Sequence, residues 1–96
     1  MVIAVISDNV KILRSDDTTW STYEDETIIL NLDTGMYFTL NPVASLLWDA
    51  LDGNRTLADL VMFICQEYEV EHTRAEKDII SILTFFLENK LIIMGK

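Results

Sequence analysis

The stretch Leu32–Leu60 constrains the fold of this 96-residue chain more than any other part, because it holds one hairpin signal and two helix-cap signals. The hairpin comes first: a polar loop, 33–35 (Asp-Thr-Gly), separates the apolar runs Thr27–Leu32 and Met36–Leu40. Gly35 suits the left-handed position of a three-residue hairpin loop, since glycine reaches positive φ without steric cost. The segment therefore predicts two antiparallel strands joined by a tight loop.

A specific pairing of these two strands follows from the alternation of their apolar residues. The predicted pairs are Leu32 with Met36, Leu30 with Phe38, and Ile28 with Leu40. The pairing places these six side chains on one face of the hairpin and leaves on the other face Ile29, Asn31, Tyr37 and Thr39. A shift of one residue would exchange the two faces, so the apolar pattern favours this register.

Two capped helices are predicted after the hairpin. Asn41 is a favoured N-cap residue, and a proline follows it at the first helical position. The first helix is therefore predicted at Pro42–Leu51, where it stops before Gly53. Thr56 is the predicted cap of the second helix, Leu57–Glu69. Its apolar residues recur at the spacing i, i+3, i+4, i+7, which is typical of an amphipathic helix.

A third helix and a short apolar tail complete the chain. Thr73 is the predicted N-cap of a helix that runs to about Asn89, with Glu76 at the capping-box position. The tail Leu91–Met94 has the length of one short strand and could complete the sheet.

The N-terminal part of the chain predicts one more strand and a long loop. Val10–Leu13 is the predicted first strand, although Val2–Ile6 could extend or replace it. Ser15–Glu26 is polar and acidic, which favours a loop. The order predicts a single α+β domain over residues 1–96, with an N-terminal three-stranded antiparallel sheet followed by three helices. This arrangement resembles a winged helix-turn-helix.

The charge of the chain narrows the range of partners. Sixteen acidic residues outnumber seven basic ones, which gives a net charge of −9. Nucleic acids and anionic membranes are bound through Lys and Arg, so we expect neither partner. A basic or neutral peptide fits this charge better, although acidity that only keeps the domain in solution explains it equally. We expect a cytoplasmic protein, because no apolar run approaches the ~20 residues that span a bilayer and the N-terminus lacks a secretion signal.

The residue types that carry catalysis or bind metals are too few to form a site. His72 is the single histidine and Cys65 the single cysteine, so no spacing of metal ligands and no catalytic set can be assembled. Gly35 and Gly53 are predicted turn residues and form no phosphate-binding motif. We therefore expect no catalytic residue, no metal and no cofactor, and we expect a binding protein.

The third predicted helix has more apolar surface than one buried stripe requires. Two adjacent stripes and a wider face are formed by Ile79, Ile80, Ile82, Leu83, Phe85, Phe86 and Leu87. A surface helix usually buries an apolar arc only about 100° wide. The surplus implies a second contact, with Ile82 and Phe85 facing a guest and Leu83 in the core. The alternative is a central helix that packs on both other helices and on the sheet.

The strand Met36–Leu40 is a second candidate contact for a guest. If the first strand pairs with the far side of Thr27–Leu32, Met36–Leu40 becomes the edge of the sheet. It carries no charge, and an open uncharged edge either aggregates or accepts a guest strand. The alternatives are that Leu91–Met94 or Val2–Ile6 covers this edge.

An ordered set of short motifs covers much of the chain. It consists of Thr34, Gly35, Tyr37, Phe38, Leu40 and Asn41, then Trp48, Leu51 and Gly53, then Arg55 and Thr56. On these residues the chain resembles, from about Val10 to Met94, the PqqD-like family (pyrroloquinoline-quinone synthesis protein D). The resemblance implies a small peptide-recognition domain that carries out no chemistry itself.

The resemblance also implies a mode of binding and a set of partners. PqqD-like domains bind the leader segment of a ribosomally made precursor peptide as an added strand, in a cleft beside the third helix, and deliver it to a modifying enzyme. The implied partners are the leader peptidase and the cyclase of a lasso-peptide pathway. The alternatives are the radical enzyme of quinone synthesis or, from another class, a small winged-helix regulator. The predicted peptide-binding residues are Met36, Tyr37, Phe38, Thr39, Leu40, Asp78, Ile79, Ile82, Phe85 and Phe86.

Overall fold

The structure is a computed structural model, and it describes residues 10–94. In chain order its elements are β1 (Lys11–Arg14), β2 (Thr18–Tyr23), β3 (Glu26–Asn31), β4 (Tyr37–Leu40), α1 (Pro42–Asp49), β5 (Asp52–Thr56), α2 (Leu57–Tyr68), α3 (His72–Glu88) and β6 (Ile92–Met94). The strands of residues 10–94 form two three-stranded antiparallel sheets, ordered β5-β1-β6 and β2-β3-β4. The fold class is therefore α+β, as predicted.

The predicted order, with one sheet before three helices, is wrong. β5 lies between α1 and α2, and β6 follows α3. β1 was expected beside the strand at Thr27–Leu32, but it pairs with β5 and β6 instead. The tail Leu91–Met94 does contain a strand, as predicted, although it completes the other sheet. The comparison with a winged helix-turn-helix is not confirmed, and Val2–Ile6 lies outside the described residues.

The predicted loop Ser15–Glu26 contains a strand, β2, which pairs along its whole length with β3. Threonine and aromatic residues have high strand propensity, so the sequence TTWSTY carried a signal that its polarity concealed. A two-residue turn joins the strands, and Glu24 adopts φ 57° there. Such turns usually have Asn or Gly at this position, so a glutamate gave no turn signal.

The predicted register of the β3–β4 hairpin is wrong by one residue. The observed pairs are Thr27 with Leu40, Ile28 with Thr39, Ile29 with Phe38, and Leu30 with Tyr37. The cause lies in the loop, where Asn31 pairs with Met36 through a hydrogen bond from N–H to C=O of 2.9 Å. The loop therefore has one residue more than predicted, and Ile29 and Asn31 face the core. Gly35 has φ 77°, as the left-handed prediction requires.

The first two helix caps are confirmed and the third is wrong. The side chain of Asn41 accepts a hydrogen bond from the Ala44 N–H, and Thr56 forms a capping box with Asp59. α1 ends at Asp49, two residues before the predicted end at Leu51. α3 begins at His72, and its N-cap residue, Glu71, makes no side-chain cap bond, so Thr73 does not cap it.

The core lies between the three helices and the inner faces of both sheets. Trp48 is fully buried at its centre and makes edge contacts with Phe86 and Trp20, each with ring centroids 5.4 Å apart. The guanidinium of Arg14 on β1 lies 4.6 Å from the Trp20 ring on β2. These contacts join the two sheets and fix α3 against α1.

Candidate functional site: a groove between the edge strand and the third helix

β4 is an edge of its sheet within residues 10–94, because its only paired neighbour there is β3. Antiparallel residues alternate between hydrogen-bonded and non-bonded pairs. Since Asn31 bonds Met36, the next bonded pair is Ile29 with Phe38. The main-chain groups of Tyr37 and Thr39 therefore point away from β3. They form a short row of donors and acceptors on the open side of the sheet.

The side chains of β4 alternate between two faces. Phe38 points towards α3, where its ring meets the Phe85 ring edge-on with centroids 5.8 Å apart. Tyr37 lies on the opposite face and is 70% exposed. A strand added to β4 would therefore place alternate side chains against α3 and against the outer face.

A groove runs along α3, first between α3 and β4 and then between α3, α1 and α2; we call it the β4–α3 groove. Its hairpin end is a pocket of about 120 Å³ lined by Thr34, Met36, Phe38, Glu88, Asn89 and Lys90. Its middle, about 260 Å³, is lined by Thr39, Leu40, Asn41, Ala44, Ser81, Ile82, Phe85 and Phe86. Its far end, about 240 Å³, is lined by Val43, Ile64, Tyr68, Val70, Arg74, Ala75, Asp78, Ile79 and Ile82.

All ten residues predicted to bind the peptide line this groove or the open edge, but they differ in depth. Met36, Tyr37, Thr39, Asp78 and Phe85 are exposed, and Phe38 and Ile82 are half-buried. The other three are buried and form the floor of the groove: Leu40, Ile79 and Phe86. The buried three support the groove, and the other seven expose side-chain surface along it or at the edge of β4.

Several groove residues were missed from the sequence. Val43, Ala44 and Asn41 come from the start of α1, which was read only as a capped helix. Ser81 and Arg74 come from α3, where the prediction named the apolar residues and Asp78. A helix that begins directly after an edge strand must flank the end of that strand, and this was the available signal for the α1 residues.

The groove is apolar along its middle and carries charge of both signs at its ends. Arg74 and Asp78 line the far end, and Glu88 and Lys90 line the hairpin end. Each end thus has one acidic and one basic residue. The net charge of −9 is therefore not concentrated in the groove.

A separate acidic pocket of about 290 Å³ lies beside α1 and the turn between β2 and β3. Its acidic residues are Glu24, Asp25, Asp49 and Glu67, and it shares Tyr68 with the far end of the groove. It is also lined by Thr22 of β2, the other edge strand of this sheet. It is a polar surface recess, whereas the β4–α3 groove combines free main-chain groups with apolar side chains.

The described residues provide no arrangement for metal binding. Among residues 10–94, no group of three or more His, Cys, Asp and Glu side chains could hold a metal ion. His72 is exposed, and Cys65 is half-buried on α2. In the same part of the chain, no helix is long and apolar enough to cross a membrane.

The chain matches a known protein family over most of its length. The sequence profile of the family described as Coenzyme PQQ synthesis protein D (PqqD) matches residues 26–92. The chain therefore belongs to the PqqD family. That match begins with β3 and ends in β6, so it includes every element of the groove. A search of curated proteins gives no match.

Three solved structures share the fold. TbiB1, solved in complex with the TbiA(beta) leader peptide, is 31% identical with a TM-score of 0.79, over 83% of this chain and 93% of that one. Lasso peptide synthetase B1, complexed with the leader peptide, is 29% identical with a TM-score of 0.77, over 86% and 98%. The PqqD truncation of Methylobacterium extorquens PqqCD, a RiPP recognition element, is 18% identical with a TM-score of 0.76, over 97% and 99%, and supports the fold alone.

Proposed function

We propose that this protein binds the leader segment of a ribosomally synthesised precursor peptide as an added strand on β4. The carrying observation is the open, uncharged edge of β4 beside the apolar β4–α3 groove. Main-chain groups of Tyr37 and Thr39 pair with the guest and supply affinity, and the side chains of Phe38, Ile82 and Phe85 select its residues. Two relatives near 30% identity, both solved in complex with a leader peptide, support this proposal.

The protein acts by delivery and not by catalysis. The bound leader holds the rest of the precursor at a separate enzyme, which raises the effective concentration of the substrate there. The partners we propose are the leader peptidase and the cyclase of a lasso-peptide pathway, because a lasso peptide synthetase subunit is among the relatives. Ribosomal precursors are made in the cytoplasm, and binding takes place there.

A second candidate is an accessory role beside a radical enzyme, as in pyrroloquinoline-quinone synthesis. The family profile favours it, since its description is that of a quinone-synthesis protein. The genes that flank this one separate the two candidates. A peptidase and a cyclase gene support the lasso pathway, and a radical-enzyme gene supports the quinone pathway.

A fluorescence titration tests the proposal directly. The probe is a fluorescein-labelled synthetic leader of the precursor encoded beside this gene, with the TbiA(beta) leader as a second probe. A scrambled leader and a labelled DNA duplex are the controls. Saturable binding of a leader, with neither control bound, is the expected result. If neither leader binds, or if the duplex binds as well as a leader does, the proposal is wrong.

A further inference from the structure

Asn31, the last residue of β3, has a fully buried side chain. Its side-chain oxygen accepts hydrogen bonds from the main-chain N–H groups of Asp33 and Thr34, at 2.9 and 3.1 Å. Its side-chain nitrogen donates to the carbonyl oxygens of Asn89 and Lys90, at 3.3 and 3.1 Å. The amide thus makes four hydrogen bonds, two as acceptor and two as donor, which engages both of its N–H groups and both lone pairs.

These four hydrogen bonds join the two walls of the β4–α3 groove. The acceptor bonds hold the loop that leads into β4, and the donor bonds hold the segment that directly follows α3. Both segments line the hairpin end of the groove, where Met36 and Phe38 lie opposite Glu88. One side chain therefore fixes how far the open edge lies from the helix at this end.

The far end of the groove is held differently. Among the side-chain hydrogen bonds of residues 10–94, none joins α3 to α1 or to β4. There the walls meet through apolar side chains such as Val43 and Ile82. Apolar contacts are non-directional, whereas a fully satisfied buried polar network specifies one arrangement. The groove is thus held by directional hydrogen bonds at one end and by apolar packing at the other.

We propose that Asn31 is the positioning residue of the groove and that its hydrogen bonds hold β4 and α3 at the spacing a guest strand requires. The proposal rests on the function proposed above. An added strand must lie about 4.8 Å from β4 while its side chains reach α3, so both conditions hold only within a narrow range of wall spacing. If only a small fraction of the free protein had this spacing, the apparent affinity would fall in proportion to that fraction. A free protein that already has the spacing avoids this loss.

Two variants separate this role from simple stabilisation of the loop. Asn31→Asp keeps the acceptor for Asp33 and Thr34 but loses the donors for the carbonyls of Asn89 and Lys90. Asn31→Leu removes both sets without adding charge, and it decides the question if the buried carboxylate prevents folding. Thr56→Ala is the control, because it removes the capping box of α2 away from the groove.

The spacing is measured without any leader. Spin labels at Thr39→Cys and Ser81→Cys, in a Cys65→Ser background, report the distance between the exposed faces of β4 and α3. We expect a narrow distance distribution in the parent and in Thr56→Ala, and a broad one in both Asn31 variants. In unlabelled protein, the Kd for the fluorescein-labelled TbiA(beta) leader should rise about tenfold in the Asn31 variants and stay within about twofold in Thr56→Ala.

The outcomes distinguish this inference from the proposed function. Unchanged distance distributions in the Asn31 variants overturn it, and so does an equal rise in Kd in Thr56→Ala. If the parent protein binds neither the leader encoded beside its gene nor the TbiA(beta) leader, while the Asn31 variants still broaden the distribution, the leader-binding function is wrong and the control of groove spacing by Asn31 stands.

Discussion

The sheet β2-β3-β4 has two edges that look alike in sequence and differ in their surroundings. Both edge strands are uncharged, and neither is paired on its outer side within residues 10–94. β4 runs beside α3, whose apolar side chains extend its edge into the β4–α3 groove. β2 lies at the opposite edge, where its side chains are largely Thr and Ser and all but the first are exposed.

This difference predicts that an open edge alone does not make a binding site. Main-chain hydrogen bonds are available at both edges, but they carry no information about the sequence of the guest. Apolar burial against α3 adds both affinity and selection, because each fully buried aliphatic or aromatic side chain contributes about 1.5–3 kcal/mol. A guest strand should therefore bind at β4 and leave β2 free.

The largest expected effect comes from proline at the β4 edge. Thr39→Pro removes a main-chain donor that points to the open side and breaks no bond to β3, so the sheet should tolerate it. Leader binding should fall by at least about tenfold, since one lost hydrogen bond and the clash of the ring act together. Titration of the labelled leader measures the loss, and circular dichroism with thermal melting checks the fold.

Thr22→Pro is the control on β2, and it also removes the hydrogen bond of 2.9 Å between the Thr22 and Thr27 hydroxyls. The hydrogen bond from the Leu32 N–H to the Asp17 carbonyl sets the bonding alternation there, so the Thr22 N–H also points outward. Binding should be unchanged in this variant. Phe38→Pro, in contrast, removes a bond to Ile29 and should unfold the domain. Equal losses of binding in Thr22→Pro and Thr39→Pro would show that the guest does not distinguish the two edges.

The apolar wall is tested by a pair of neighbouring residues on α3. Ile82 is half-buried in the groove, whereas Leu83 is fully buried in the core. Leu83→Ala should cost about 2–5 kcal/mol of unfolding free energy because it leaves a cavity. Ile82→Ala and Phe85→Ala should cost little stability and at least about 1 kcal/mol of binding free energy. Denaturant unfolding and leader titration separate the two quantities.

The opposite result is also informative. If Ile82→Ala and Phe85→Ala both unfold the domain and neither selectively weakens binding, the apolar surplus on α3 serves the core. In that case β4 would have no advantage over β2 beyond its position, and selection of the guest would require another surface.

The sequence predicted the groove better than it predicted the sheets. The uncharged strand at β4 and the excess apolar surface of α3 could both be predicted, because each follows from composition and periodicity along one element. The pairing of β1 with β5 and β6 could not be predicted, since it depends on contacts between segments that are distant in the sequence. The predicted hairpin register was wrong because of Asn31: the alternation of apolar residues placed this polar side chain on the outer face, but it faces the core.

Asn31 also shows which signal could have corrected the register. An asparagine just before a turn often accepts hydrogen bonds from main-chain N–H groups a few residues on. Asn31 does so with Asp33 and Thr34, which turns its side chain inward and lengthens the loop by one residue. The hydrogen bonds that Asn31 donates to Asn89 and Lys90 cannot be predicted from the neighbouring sequence, because those partners lie at the other end of the chain.

The smallest expected effect is that of charge on the rate of leader association. The net charge of −9 should attract a leader that carries Lys or Arg, but the two ends of the groove are each balanced, so the attraction is long-range. Raising salt from about 50 mM to about 500 mM should slow association several-fold, since the screening length falls below ~10 Å, and should change dissociation less.

Charge reversal near each edge tests whether the two edges also differ in their effect on the association rate. Asp78→Lys, at the far end of the groove, should reproduce part of the slowing at low salt, because it lies where the leader arrives. Glu24→Lys, at the turn beside β2, changes the net charge equally and should slow association less. Stopped-flow fluorescence measures both rates. Equal slowing by the two variants would assign the attraction to net charge alone, and a salt-independent rate would mean that the acidity serves only to keep the domain in solution.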